Sequence, residues 1–381
     1  MAEGPLNRRR FLGCSAAAGL AWAHAPAAAG GPPARSVSVG VIGLGSRGTT
    51  LLRSVLAAGG CQVAAICDTE PRFMARAVAI LDKAKAPRPY LTEHYADLLQ
   101  RPDVEAVLVA LPGDLHAPVY IEALDAGKHL YAEKPLGITV DDCARVLSAA
   151  AQHADRIVHV GLQRRVNPRY IQGVERLQEI GSLLTARGSW LSSNDPISGH
   201  DNWMARRDRS GDWMVEQAVH LWDVLAWIKG GPPAEAYGHG QRAAFRSGRD
   251  VTDFYTVTLA WPDGFTASLI HSWCMRSDDT AGGLELHLMG SRGFLDLTRG
   301  VLIVRDRHPG RELLSAGPIP DTDLAVRAFL DSIRDPAAAP PTRATLEDAM
   351  LATQIGLLVR EAVDRRHLVT WDSLFGQKRL S

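Results

Sequence analysis

Three clusters of residues in this chain of 381 have the types and spacing to do chemistry. The first is the run Gly43-Leu44-Gly45-Ser46-Arg47-Gly48, followed twenty residues later by Asp68. In a G-x-G-x-x-G run the first glycine permits a tight turn and the second lets the backbone approach a pyrophosphate. The third lets a helix pack closely on a strand. A helix opening at Ser46 and Arg47 would aim free N–H groups and a positive dipole at the phosphates. Asp68 would then accept a ribose 2′-hydroxyl and repel a 2′-phosphate, which favours NAD over NADP. Arg72 keeps NADP as the lesser alternative.

The second cluster is Ala132-Glu133-Lys134-Pro135, directly after an apolar run from His129. At the carboxyl end of a strand, where open α/β sheets bind their ligands, Lys134 would face the nicotinamide crevice. There it could hold a substrate hydroxyl and stabilise charge developing on it. The third cluster is Glu216 and His220, within Gly211-Asp212-Trp213-Met214-Val215-Glu216-Gln217-Ala218-Val219-His220. On one helix these two are i, i+4 neighbours sharing a face. His220 could take a hydroxyl proton near neutrality while Glu216 orients the imidazole. An ordinary surface ion pair would look the same in sequence. A metal site would need a third ligand, which no spacing supplies, so none is expected.

The elements that must carry these groups fall into two grammars. Over 36–157, short apolar strands (Val37–Val41, Val63–Ile66, Val104–Leu111, His129–Ala132) alternate with helical patterns, as in a doubly wound parallel Rossmann sheet. Over 158–381 the strands lengthen: Leu184–Leu191, Phe254–Trp261, Phe265–His271 and Glu285–Met289. Pro262-Asp263-Gly264 reads as a hairpin turn, so an open, mainly antiparallel sheet is expected, entered through a helix near Asn167–Ile180. Helices at Thr322–Arg334 and Leu346–Arg366 close this second α/β domain. Seven of nine tryptophans fall in this domain between residues 190 and 273. Trp203 and Trp213, in Gly/Asp/Arg-rich surroundings, are the candidates to stack on a sugar ring; Trp261 and Trp273 read as packing. Arg165 and Tyr170 are candidates to bind substrate hydroxyls.

Composition narrows the classes. Lys plus Arg and Asp plus Glu number 42 each, so no basic stripe suggests nucleic acid. No apolar run is long enough to span a membrane. Residues 1–30 read as a leader: Asn7-Arg8-Arg9-Arg10-Phe11-Leu12 opens an Ala-rich stretch that ends in small residues. The twin arginine before Phe-Leu resembles a twin-arginine (Tat) signal, which implies the Tat export machinery as partner and a periplasmic location. The cysteines form no C-x-x-C pair and read as free thiols.

Taken in order, Gly43–Gly48, Leu111-Pro112-Gly113-Asp114-Leu115-His116, Glu133-Lys134-Pro135 and Gly161-Leu162-Gln163-Arg164-Arg165 resemble the Gfo/Idh/MocA family, which includes glucose–fructose oxidoreductase and inositol dehydrogenase. Glu216 stands where that family usually has Asp, and Ala218 where it has Gly or Pro. The resemblance implies a nicotinamide cofactor, a sugar or polyol substrate and a homo-oligomer. It adds Pro112, His116, Glu133, Lys134 and Gln163 to Gly43, Gly45, Ser46, Arg47, Gly48 and Asp68 as cofactor-binding positions. Lys134, His220 and Glu216 become the catalytic set for hydride transfer between a carbinol carbon and a tightly bound cofactor. Two alternatives stay open: a redox-neutral, NAD-dependent glycosidase or lyase working through a transient keto-sugar, and a non-catalytic, NAD-bound binding protein.

Overall fold

The structure, a computed structural model, describes residues 35–192, 200–242, 248–273, 283–315 and 317–376. The leader expected over 1–30, and Cys274, lie outside them. Six strands form the first sheet: β1 (Val37–Ile42), β2 (Cys61–Cys67), β3 (Tyr90–Thr92), β4 (Ala106–Val109), β5 (His129–Ala132) and β6 (Val158–Val160). Their order is β3-β2-β1-β4-β5-β6 and every pairing is parallel. Both faces are covered, so β1 and β4 are near-continuous apolar runs rather than alternating ones. The order reverses between β1 and β4, which opens a crevice at their carboxyl ends.

Helices α1 (Ser46–Ala58), α2 (Pro71–Lys83), α3 (Tyr95–Leu99), α4 (His116–Asp125) and α5 (Val140–Gln152) connect these strands. On α1 the apolar residues Leu51, Leu52 and Val55 share one stripe and are fully buried against Val37, Val39 and Val41 of β1. Fully burying each such side chain stabilises the layer by roughly 1.5–3 kcal/mol.

The chain then passes through α6 (Pro168–Glu175) into a nine-stranded sheet. Its strands are β7 (Leu183–Leu191), β8 (Glu235–Gln241), β9 (Phe254–Ala260), β10 (Thr266–Ser272), β11 (Gly283–Gly290), β12 (Gly293–Asp296), β13 (Val301–Val304), β14 (Arg311–Leu313) and β15 (Val369–Thr370). Only β7 and β10 pair in parallel; the other neighbours are antiparallel. The turn at Pro262-Asp263-Gly264 joins β9 to β10 as expected, with Gly264 at φ 84°. Helices α7 (Arg207–Ser210), α8 (Trp213–Glu216), α9 (Val219–Lys229), α10 (Asp321–Arg334), α11 (Leu346–Arg365) and α12 (Trp371–Phe375) complete the described fold.

Helix α10, read from sequence as part of the second domain, packs its Val326, Phe329, Leu330 and Ile333 into the β1–α1 core. Its polar face serves the same docking: Asp323 accepts a hydrogen bond from Ser54 of α1, and Thr322 accepts one from Arg47. Periodicity shows that a helix has an apolar face; it does not show which sheet that face meets.

Candidate active site

The glycine loop joins β1 to α1 as its spacing predicts, and each glycine has a separate steric reason. Gly43 sits at φ 83°, and a Cβ there would overlap the Ala110 carbonyl oxygen. At Gly48 a Cβ would overlap the Gly43 carbonyl oxygen, so loop and helix can close only without it. At Gly45 nothing lies within 4 Å of an added Cβ, so this position faces open space. No side chain caps the start of α1, which leaves its first N–H groups for a ligand. Asp68, just past β2, accepts from Leu44 N–H at 2.6 Å and from Glu70 N–H at 2.9 Å. The carboxylate thus stands beside the loop, held by backbone. An open glycine, an uncapped helix start and an adjacent carboxylate fit a dinucleotide's pyrophosphate and ribose. Ser46 is exposed at the same helix start.

Past β5, Glu133 and Lys134 point to different partners. The Glu133 carboxylate is buried and accepts from Arg47 Nε at 2.7 Å. Gly161 leaves room for it, since a Cβ there would stand 2.9 Å from that carboxyl group. Glu133 and Arg47, both read as cofactor contacts, therefore tie the glycine loop to the lysine loop. Lys134 reaches across to the second sheet's helices, where its Nζ donates to Glu216 Oε1 at 2.6 Å and to the Glu216 carbonyl at 2.7 Å.

That contact corrects the expected Glu216–His220 pair. The two residues do not share a helix: α8 ends at Glu216 and α9 begins at Val219, with Gln217 and Ala218 between them. Glu216 turns to Lys134, and His220 Nδ1 is buried without a partner. Burial, and then the positive charges of Lys134, Arg164 and Arg47, hold His220 well below the ordinary imidazole range. The ring is therefore held unprotonated at rest, which leaves a ring nitrogen open to accept a hydrogen bond.

The structure adds residues that sequence reasoning passed over. Trp190, at the end of β7, lies with its ring centre 6.0 Å from that of His220 and 6.3 Å from that of His271. His271 is buried on β10, where desolvation lowers its pKa to about 3, and its Nε2 lies 2.7 Å from the Gln217 Oε1. Lys134, Glu216, Gln217, His220, Trp190 and His271 form one contiguous set. Strand alternation points Trp190 and His271 inward, but only the β7–β10 pairing, which sets His271 opposite Trp190, makes them neighbours.

Several other expected site residues are engaged by the scaffold. His116 is buried, with Nδ1 2.6 Å from the Pro135 carbonyl and Nε2 2.8 Å from the Leu111 carbonyl. It braces the Leu111-Pro112 and Lys134-Pro135 loops. Pro112 is half-buried in the first of these. Arg165 was expected at a substrate hydroxyl; it is buried, with Asp223 at 2.8 Å and Asp348 at 2.9 Å. Tyr170, also expected there, is buried beneath the Arg164 guanidinium. Trp213, expected to face a sugar, is fully buried, 4.7 Å from Trp273 between ring centres, and donates its indole N–H to the Met204 carbonyl. A bulky aromatic beside Gly and Asp looked exposed because the residues that cover it are distant in sequence. Trp203 is half-buried. Gln163 and Tyr131 line a cavity of about 10 Å3, and the Gln163 Oε1 and the Tyr131 hydroxyl lack partners. That volume suits roughly one water molecule. Among the described residues no group of three or more His, Cys, Asp or Glu side chains could hold a metal ion.

Comparison with known proteins places this geometry. Residues 37–162 match the GFO/IDH/MocA oxidoreductase family's NAD-binding Rossmann fold, and residues 172–296 match the GFO/IDH/MocA C-terminal domain. Inositol 2-dehydrogenase of Salmonella typhimurium (strain LT2) is 30% identical over 197 residues, covering 51% of this chain and 54% of that protein. Alpha-N-acetylgalactosaminidase of Shewanella oneidensis is 35% identical over 123 residues, covering 31% of this chain and 27% of that protein. The chain thus spans about half the length of the first of these relatives and about a quarter of the second. Scyllo-inositol dehydrogenase from Lactobacillus casei, solved with NAD(H) and scyllo-inositol, superposes with a TM-score of 0.72 over 88% of this chain and 99% of that one, at 20% identity. That likeness is one of fold. With a glycine loop, a lysine after β5 and two matching domains in order, the chain belongs to the Gfo/Idh/MocA oxidoreductase family, and residues 37–162 form its NAD-binding Rossmann domain.

Proposed function

We propose that the protein is an NAD-dependent oxidoreductase acting on a CH–OH group of a sugar or polyol. The observation that carries this reading is the convergence of Lys134, Glu216 and a neutral His220 beside the carboxyl end of β5. Bound NAD supplies the hydride acceptor or donor. The chain's own residues handle the alcohol oxygen. His220 receives the hydroxyl proton on an unprotonated ring nitrogen as the C–H bond breaks. Lys134, held by Glu216, donates to the same oxygen and stabilises its developing negative charge. Trp190 offers an apolar face at the same site, suited to the C–H face of a ring.

A second reading is favoured by the similarity to alpha-N-acetylgalactosaminidase over 31% of this chain. Transient oxidation of a sugar hydroxyl acidifies the neighbouring C–H and permits elimination, with the hydride returned at the end. Incubating the purified protein with NAD and a panel of inositols and sugars, then with p-nitrophenyl glycosides, separates the two. Net NADH formation supports the dehydrogenase; aglycone release without net NADH supports the glycosidase. His220→Asn should lower either rate by roughly 10²–10⁴-fold. Unchanged turnover in that variant would remove the catalytic assignment altogether.

The Asn7–Leu12 segment supports export through the Tat machinery to the periplasm, with cofactor carried in already bound. The outer face of the second sheet exposes Leu184, Tyr237, Ile270 and Ile303, which supports a homo-oligomer built on that face.

A further inference from the structure

Among the described non-glycine residues with positive φ, Asp212 alone is buried; Lys85, Asn202, Asp306 and Arg366 are exposed. Its backbone sits at φ 80° and ψ 160°, a region populated almost only by glycine. Such a conformation persists only where surrounding contacts over-determine it. The Asp212 carboxyl group is fully buried and accepts from Trp213 N–H at 2.6 Å, from Arg207 Nη2 at 3.0 Å and from the Tyr255 hydroxyl. The Asp212 N–H donates to Ser210 Oγ at 3.1 Å, and the preceding Gly211 carbonyl accepts from Arg360 Nη1 at 2.7 Å.

Glycine would take this conformation without steric cost, but it would bring no carboxyl group to Trp213, Arg207 and Tyr255. The anchored turn opens α8, which is only four residues long and too short to hold its shape alone. The Asp212 carbonyl accepts from Val215 N–H at 3.0 Å and from Glu216 N–H at 2.8 Å. Gly356 of α11 packs so closely beneath that a Cβ would stand 2.5 Å from the Met214 carbonyl oxygen. At the far end of the turn, Glu216 presents both its carboxylate and its carbonyl to Lys134 Nζ. A chain of contacts thus runs from Tyr255 on β9 and Arg207 on α7, through Asp212 and Glu216, to the lysine.

We propose that Asp212 is a positioning residue for Lys134: by pinning a glycine-like turn with a buried carboxyl group, it fixes the two Glu216 oxygens that hold the lysine. Its catalytic consequence rests on the function proposed above, in which Lys134 donates to the reacting oxygen. Without the anchor, the Glu216 oxygens are no longer set before Nζ, and the lysine spends more time free.

Amine acetylation of the full-length protein with acetic anhydride, read lysine by lysine by peptide mass spectrometry, tests the positioning without any substrate. In Asp212→Gly, which relieves the backbone while deleting the anchor, labelling of Lys134 should rise by roughly 3–10-fold. Lys128 is the internal reference. It is buried, and its Nζ donates to the Arg101 and Val104 carbonyls at 2.8 Å each, so its labelling should stay constant. Tyr255→Phe removes one donor and keeps the ring; it should give a smaller rise at Lys134, and it serves if the glycine variant fails to fold. In either variant, kcat on a substrate found in the sugar panel should fall, by on the order of tenfold for Asp212→Gly, with NAD affinity unaltered. Unchanged Lys134 labelling overturns the proposal, and so does a rise shared equally by Lys128 or an unchanged kcat. A protein that turns over no sugar, inositol or glycoside would defeat the proposed function, while the labelling would still decide the role of Asp212.

Discussion

The two ends of the cleft are built on opposite principles. At the dinucleotide end, recognition is by backbone: three glycines, an uncapped helix start and one carboxylate held by N–H groups. At the alcohol end it is by side chains drawn from β5, β7, β10 and the α8–α9 junction, none adjacent in sequence except around Glu216. A backbone-built site is dictated by short-range sterics. A side-chain-built site depends on which distant segments the core brings together.

The largest effect should come from Gly48→Ala, because its Cβ would overlap the Gly43 carbonyl oxygen. Overpacking of this kind costs about 1–3 kcal/mol or more, and NAD affinity by fluorescence titration should collapse with the melting temperature. Gly45→Ala is the sharper half of the comparison. Nothing in the protein obstructs it, so the melting temperature should hold while NAD affinity falls. If Gly45→Ala leaves affinity intact, the pyrophosphate does not lie over this loop.

Arg165→Met should bring the largest loss of stability that leaves NAD affinity alone. It would leave Asp223 and Asp348 without their shared cation, and removing one partner of a buried pair costs roughly 3–5 kcal/mol. Urea denaturation should show that loss, while KM for the substrate in the folded protein stays the same. A raised KM with intact stability would restore Arg165 to the substrate, as its sequence position suggested.

Glu216→Asp should have a smaller effect, confined to the alcohol end. One methylene fewer withdraws the carboxylate from Lys134 Nζ while the backbone carbonyl contact can remain. Steady-state kinetics should show kcat lower by on the order of tenfold, with NAD affinity unaltered. Loss of NAD affinity instead would mean the two ends are not separable.

The smallest effect concerns pH. His220 is depressed by burial and by Lys134, Arg164 and Arg47, so it stays unprotonated as pH falls through the ordinary histidine range, about 6.5. The acid limb of kcat/KM should therefore lie below that value. Arg164→Gln, which removes one of the three cations, should move the limb upward by a fraction of a pH unit. A limb at or above about 6.5 in the unaltered protein would show that another group titrates.

Legibility in the sequence followed the same division. The glycine loop, Asp68, the β–α alternation and the hairpin at Pro262-Asp263-Gly264 are local patterns, and the structure keeps them. Lys134 and His220 were readable as reactive residues because their positions matched a known order of motifs. Their partners were not. The i, i+4 spacing of Glu216 and His220 implied a shared helical face, but the chain breaks helix at Gln217-Ala218, and Glu216 turns to a lysine 82 positions away. Arg165, Tyr170 and Trp213 looked available because polarity nearby in sequence is a weak guide to what covers a side chain in space.

By itself, then, the sequence determined the turn at Gly43–Gly48, the parallel layer behind it and the presence of a lysine and a histidine fit for alcohol chemistry. Each depends on φ/ψ limits, hydrophobic period or intrinsic pKa, all properties of a few consecutive residues. Tertiary structure alone decided that α10 seals the cofactor layer, that Glu216 serves Lys134, and that Trp190 and His271 stand beside His220. It also decided that His220 is neutral, since desolvation and three cations from separate segments act on it only once the chain has closed around it.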